Sequence, residues 1–117
     1  MSFDWNNYLL LASDLNSGSP SIAQMRSATS RAYYGAFIQC RNKKGKSAKK
    51  EAAIHQEIIR EFKTSDQPEE ISIGNLLDDL RQRRNDADYN SFFVPTQTAT
   101  KLDIDKAQMI IDNLASI

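Results

Sequence analysis

Apolar residues recur every three or four positions along five segments of the chain, and no segment has the alternation that is typical of a strand. This period constrains the fold most, because a helix brings such positions onto one face. In the fourth segment, for example, Ile73, Leu77 and Leu80 share one stripe. The pattern predicts an all-α protein, and its length of 117 residues predicts a single domain over 1–117. Short loops between long helices favour antiparallel neighbours in a bundle.

Start and stop signals give approximate bounds for the five helices. Ser21 and Gln24 have the spacing of a capping box at the start of the second helix, and Thr100 and Asp103 suggest a similar start for the fifth. Pro95 prevents simple continuation of the fourth helix. The predicted helices run approximately from Phe3 to Leu15, from Ser21 to the start of RNKKGKS, from Lys49 to Lys63, from the apolar residues around Ile73 to Phe93, and from Thr100 to Leu114.

The second helix contains the motif SRAYYGAF, which predicts close packing. Tyr33 and Tyr34 are adjacent and point about 100° apart on a helix, so one is expected in the core and the other at an edge or interface. Gly35 costs about 1 kcal/mol relative to Ala in a helix interior. A close crossing with another helix, within the chain or at a dimer seam, would offset that cost. Cys40 is predicted to be a buried small hydrophobic residue.

The charges balance overall but are unevenly distributed. The formal net charge is zero, yet residues 26–63 hold ten Lys or Arg and three Glu. A zero net charge argues against tight indiscriminate binding to nucleic acid. With one His and one Cys there is no cluster for a metal ion, and no cofactor is predicted. The sequence suggests neither a signal peptide nor a membrane-spanning segment, so we expect a cytoplasmic protein without membrane contact.

Arg84 is the most unusual residue of the segment LRQRRNDADYN, because it follows Leu77 and Leu80 on the apolar stripe of the fourth helix. A charged side chain in a core is costly unless it is paired or used. Asp88, four residues later, is its candidate partner in the less favourable order. Either Arg84 is buried in a network with Asp88 and a tyrosine hydroxyl, or it lines a groove that binds an anion.

The neighbouring arginines have simpler explanations. Asp79 precedes Arg83 by four residues, which is the favourable order for an ion pair on a helix surface. Asp78 precedes Arg81 by three residues, and the same explanation applies. These two arginines are therefore expected in intrahelical ion pairs.

A basic run and a lone histidine complete the set of candidate residues. RNKKGKSAKK has six cations in ten residues, and it is either a solvated loop or a surface that attracts phosphates through Arg41, Lys43, Lys44 and Lys46. His55 is the one side chain whose usual pKa suits proton transfer near neutral pH. It lies near the apolar face of the third helix, where a histidine is more often a partly buried hydrogen-bonded residue than a catalyst.

The motif SRAYYGAF, a histidine near the start of the third helix, and RNDADYNSFF from Arg84 to Phe93 together resemble the HEPN domain, in particular a small prokaryotic branch marked by Arg-x-x-Ala-Asp-Tyr. This resemblance implies an up-and-down bundle of four to five helices and a homodimer. It also implies either a metal-independent endoribonuclease, as in toxins and defence proteins, or a partner of a nucleotidyltransferase. Catalytic members carry Arg-x4–6-His, and Tyr89 occupies the position where this chain would hold that histidine.

Three functional hypotheses follow from these residues. The first is a dimeric binding module for RNA or a nucleotide, with a groove around Arg84, Asp88 and Tyr89 whose further binding residues are Arg81, Arg41, Lys43, Lys44 and Lys46. The second is a metal-independent endoribonuclease, in which Arg84 stabilises the phosphate while His55 or Tyr89 transfers protons. The third is a purely structural, protein-interaction bundle in which Arg84, Asp88 and Tyr89 form a buried polar network.

Overall fold

The computed structural model describes residues 2–46 and 53–117. These residues form α-helices and no strand, which confirms the prediction of an all-α protein. The helices are α1 (Asn6–Leu15), α2 (Ile22–Lys43), α3 (Ala53–Lys63), α4 (Pro68–Tyr89) and α5 (Gln97–Ala115). The predicted start of the third helix and the last two lysines of the basic run lie outside the described residues. None of the described helices is long and apolar enough to cross a membrane.

The long helix α2 lies at the centre of the bundle and packs against α1, α4 and α5. Helix α1 is antiparallel to α2, because Asn6 at its start accepts a hydrogen bond from Gln39 near the end of α2 at 3.0 Å. Helices α4 and α5 are also antiparallel, since Arg83 near the end of α4 binds Asp103 near the start of α5. This arrangement brings the second half of α4 next to the middle of α2.

Two glycines allow the closest helix contacts. A Cβ atom on Gly35 would lie 2.5 Å from Leu9 Cδ1 and 3.3 Å from the carbonyl oxygen of Trp5, so the predicted close crossing exists within the chain, between α2 and α1. A Cβ atom on Gly74 would lie 2.6 Å from the backbone nitrogen of Lys63. The second contact, between α4 and the end of α3, was not predicted from the sequence.

The other expectations for α2 are also met. Tyr33 is fully buried, whereas Tyr34 is partly exposed at the edge of the core. Cys40 is buried, and burial raises the pKa of its thiol above the usual range. At the start of the helix, Ser21 Oγ accepts a hydrogen bond from the Gln24 backbone N–H at 3.1 Å, and Gln24 Oε1 accepts one from the Ser21 N–H at 2.8 Å. The predicted capping box is confirmed.

The predicted start of the fifth helix is wrong. Helix α5 begins at Gln97, because Thr96 directly after Pro95 caps it by accepting a hydrogen bond from the Ala99 N–H at 3.1 Å. Thr100 and Asp103 are buried inside the helix and do not cap it.

Helix α4 ends at Tyr89 rather than at Phe93 as predicted. Asn90 leaves the helical conformation with a ψ of 108°, and its side-chain oxygen accepts a hydrogen bond from the Phe92 N–H at 3.0 Å. Such a local bond is typical of an asparagine that starts a turn. The first predicted helix is also too long at its start, since α1 begins at Asn6.

Candidate functional site

Arg84 lies in the core with its guanidinium surrounded by aromatic rings. Its side chain is 7% exposed, and Nη1 lies 3.8 Å from Asp88 Oδ2. Its Cζ atom lies 5.2, 5.1 and 5.9 Å from the ring centroids of Tyr33, Tyr34 and Tyr89. The Arg84 Nε–H is buried and has no acceptor among the described residues. Arg84 is therefore buried beside Asp88 and tyrosines, and its hydrogen-bonding capacity is only partly used.

Tyr33 connects Arg84 to His55. The Arg84 guanidinium lies over the Tyr33 ring, with Cζ 5.2 Å from the centroid, and the Tyr33 hydroxyl oxygen lies 2.7 Å from His55 Nδ1. Burial raises the pKa of Tyr33 above its usual range, so the hydroxyl keeps its proton. A buried O–H requires an acceptor, and His55 Nδ1 supplies it. A neutral His55 then carries its own proton on Nε2.

The environment of His55 keeps it neutral. Burial lowers the pKa of His55 from the ordinary 6.5 to about 4, and the positive charges of Arg84, Arg81 and Arg41 add to this effect. The Nε–H groups of the same three arginines are buried without an acceptor in the described part of the chain. We call Arg41, Arg81, Arg84 and His55 the arginine–histidine cluster. Helices α2, α3 and α4 each contribute to it.

The aromatic rings of α2 position His55. Its imidazole stacks on Phe37, with ring centroids 4.2 Å apart and planes inclined by 15°. Tyr33, one turn earlier in α2, stacks on Phe37 in turn at 5.6 Å. Neither Tyr33 nor Phe37 was predicted from the sequence to contact His55. Their i, i+4 spacing on the core face of α2 was the available signal.

The predicted ion pair between Asp79 and Arg83 is wrong. Arg83 Nε instead donates to both carboxylate oxygens of Asp103 on α5, at 3.1 Å. Asp103 is 2% exposed and also accepts a hydrogen bond from Thr29 at 2.9 Å. A buried carboxylate is costly without a charged partner, whereas a pair on a helix surface contributes only a few tenths of a kcal/mol, so the contact between helices forms.

The predicted pair between Asp78 and Arg81 is also wrong. Asp78 binds Lys63 at the end of α3, with an N–O distance of 2.5 Å. Arg81 is half-buried and lines a cleft of about 350 Å³ between α3 and α4, together with Gln56 and Asp78. Arg81 is thus the member of the arginine–histidine cluster that faces a solvent-accessible cleft.

The described lysines of the basic run, Lys43, Lys44 and Lys46, contact residues other than Arg84. Lys44 binds Glu70 at 2.9 Å. Lys46 binds Glu61 at 3.1 Å and also binds Glu57. Lys43 donates a hydrogen bond to the carbonyl oxygen of Ile117 at 3.3 Å. Glu70 precedes Arg84 by fourteen residues in α4, which corresponds to about 21 Å along the helix. Among the described cations of the run, Arg41 is the one whose charge acts on His55.

Tyr89 is the last residue of α4 and is 75% exposed. Its ring contacts the Arg84 guanidinium, but its exposure is inconsistent with the buried network that the third hypothesis required of it. The exposed apolar surface continues with Phe92, which is 92% exposed, and Val94. Phe93 between them is partly covered, with Arg83 Cζ 4.9 Å from its ring centroid.

The described residues contain no group of three or more His, Cys, Asp or Glu side chains that could hold a metal ion. What the described residues bring together is a cationic cluster around a neutral histidine, in an all-helical bundle. Comparison of the chain with protein-family models, with curated proteins and with solved structures found no match.

Proposed function

We propose that this chain is a HEPN-like binding module for RNA or a nucleotide, which holds a phosphate group at the arginine–histidine cluster. The observation that supports the proposal is that the charges of Arg41, Arg81 and Arg84 all lower the pKa of His55, and that each of these arginines has a buried Nε–H without an acceptor among the described residues. Guanidinium groups bind phosphate oxygens through paired N–H donors, and the cleft lined by Arg81 gives an anion access to one of the three guanidinium groups.

The state of His55 favours binding over cleavage. A base with a pKa of about 4 accepts protons weakly at neutral pH. Its Nδ1 accepts from Tyr33 and its Nε2 carries the proton, so the imidazole offers a hydrogen-bond donor to a phosphate oxygen. A tyrosine hydroxyl such as that of Tyr89 is also a poor base at neutral pH.

A metal-independent endoribonuclease is the second candidate function. It is supported by the position of His55, which is linked to Arg84 through Tyr33 within one chain. In this reaction Arg84 would stabilise the charge that develops on the phosphate, and His55 would transfer the proton of the attacking 2′-hydroxyl. General base catalysis typically accelerates a reaction by a factor of about 10²–10⁴. Because His55 is a weak base, we expect it to provide only part of this acceleration and the cleavage rate to be low.

The proposal extends to partners and place of action. Following the resemblance, we propose a cytoplasmic homodimer that acts beside a nucleotidyltransferase or within a toxin–antitoxin or defence system. Sedimentation equilibrium of the purified chain tests the dimer, and co-purification with a candidate nucleotidyltransferase tests the second partner. A monomer at micromolar concentration would contradict the dimer without affecting the phosphate site.

The test of the binding site is a titration of an unstructured single-stranded oligoribonucleotide at two salt concentrations. We expect Arg81→Ala to weaken binding about tenfold and to reduce the salt slope by about 0.7, because one phosphate contact is lost. Lys101→Ala on α5 is the matched control, since it removes one exposed positive charge from a helix outside the cluster. Equal affinities of the two variants would contradict the proposal.

The same samples test the second candidate. Incubation of the RNA with the wild type in EDTA is expected to give no cleavage if the chain only binds. Cleavage that disappears in both Arg84→Ala and His55→Gln would instead establish the nuclease. Circular dichroism of each variant confirms that the helical fold is retained.

A further inference from the structure

The turn that follows α4 presents two large aromatic side chains to solvent. Tyr89 is 75% exposed and Phe92 is 92% exposed, and Val94 extends the same apolar surface. Burying a phenylalanine side chain typically stabilises a protein by about 1.5–3 kcal/mol, so this segment forgoes a substantial gain. We call Tyr89 and Phe92 the aromatic platform.

Positive charge lies directly beside the platform. Arg84 Cζ lies 5.9 Å from the Tyr89 ring centroid. Phe93, the neighbour of Phe92, is contacted by Arg83 at 4.9 Å and by Arg26 at 5.8 Å. The platform therefore joins the arginine–histidine cluster through Arg84, while the other two guanidinium groups contact the neighbouring Phe93, and Arg83 is also paired with Asp103.

The carboxylates of this segment have protein partners. Asp88 Oδ2 accepts a hydrogen bond from Ser30 at 3.2 Å and lies 3.8 Å from Arg84 Nη1. Asp86 accepts a hydrogen bond from Asn90 at 3.4 Å. The charge of Asp88 is thus partly compensated by Arg84, whereas the neutral Asn90 amide leaves the charge of Asp86 in place.

We propose that the aromatic platform stacks on unpaired bases of single-stranded RNA while the arginine–histidine cluster holds an adjacent phosphate. Aromatic rings beside cations are how proteins hold single strands, because every base has a face that can stack and the backbone carries the charge. A duplex keeps its bases stacked on one another and cannot use the platform. This inference rests on the proposed function and specifies the ligand as single-stranded.

Two ligands of equal length separate the inference from the proposed function: a single-stranded oligoadenylate, and its abasic counterpart with the same sugar–phosphate backbone. We expect Phe92→Ala and Tyr89→Ala each to weaken oligoadenylate binding about tenfold and to leave abasic binding unchanged. Arg81→Ala should weaken binding of both ligands. Leu10→Ala is the control, because Leu10 is an exposed apolar residue on α1, which packs on α2 and α5.

The possible outcomes distinguish the two claims. If the aromatic variants bind oligoadenylate like the wild type while Arg81→Ala loses affinity for both ligands, the platform is refuted and the phosphate site remains. If Arg81→Ala has no effect but the aromatic variants do, the phosphate site fails. A second copy of the chain is the alternative occupant of the platform, and sedimentation of the wild type and of Phe92→Ala tests it. If the wild type is a dimer that Phe92→Ala dissociates, and the RNA affinity is unchanged, the platform is a dimer interface and the inference is overturned.

Discussion

The low pKa of His55 makes the free energy of unfolding depend on pH, and the substitution His55→Gln removes this dependence. The pKa is about 4 in the folded chain, against the ordinary 6.5 expected in the unfolded chain. The unfolded chain therefore binds a proton at pH values where the folded chain does not. The neutral histidine therefore contributes fully to the free energy of unfolding above pH 6.5, and this contribution is lost progressively as the pH falls towards 4.

The size of the effect follows from the two pKa values. At pH 5 the unfolded His55 is almost fully protonated and the folded one is almost neutral, which destabilises the fold by about 2 kcal/mol relative to pH 7. Because His55 is only partly buried, solvent screening reduces this figure, and we expect about 1–2 kcal/mol. The Tyr33 hydroxyl and the Phe37 ring fix the imidazole in this environment.

Urea unfolding of the wild type and of His55→Gln at pH 7 and pH 5 measures this contribution. Glutamine can still accept the Tyr33 hydrogen bond but does not titrate, and the carboxylates contribute equally to both proteins. The wild type should lose about 1–2 kcal/mol more than the variant between the two pH values. Equal losses would show that His55 has an ordinary pKa in the fold, and the assignment of three arginines to its surroundings would be wrong.

Four further substitutions test the packing of the fold by thermal or urea unfolding. Arg84→Met should change the free energy of unfolding by less than about 1 kcal/mol. Asp88→Ala should cost about 1 kcal/mol because it leaves the buried Arg84 charge without its carboxylate, and the reverse order would count against the Arg84–Asp88 ion pair. Gly74→Ala should cost about 1–3 kcal/mol, since its Cβ would lie 2.6 Å from a backbone nitrogen, and an unchanged midpoint would contradict that contact. Asp103→Ala should cost about 2–3 kcal/mol by removing the partner of Arg83 and Thr29, and a neutral result would refute the buried network.

The parts of the fold that could be predicted are those determined by neighbours in the sequence. The capping box of Ser21 and Gln24 lies within one helical turn, and the apolar stripe that buries Arg84 is a property of α4 alone. Gly35 indicated a close crossing because its cost in a helix needs compensation. The start of α5 was predicted wrongly because Thr96 and Thr100 have the same side chain and either could cap a helix. Thr96, which directly follows Pro95, is the residue that caps it.

The contacts that could not be predicted join residues on different helices. The i, i+4 rule pairs Arg83 with Asp79, but it ignores the larger cost of burying Asp103 alone, and that cost depends on how α4 packs against α5. The link from Arg84 through Tyr33 to His55 likewise requires three helices to meet. Arg84 and His55 were both candidate site residues in the sequence, but no sequence pattern indicated that Tyr33 would lie between them.

The geometry of the arginine–histidine cluster limits proton transfer by its histidine. With Tyr89 at the surface, the histidine of the cluster comes from α3, and its Nδ1 is already occupied by the Tyr33 hydroxyl. The arginines that would stabilise a developing phosphate charge also depress the pKa of that histidine, so in the absence of ligand the site disfavours a proton acceptor. A bound phosphate would reverse part of this effect by compensating the positive charge. Binding and protonation of His55 are therefore coupled, and an anion that raises the pKa of His55 must itself bind more tightly as the pH falls.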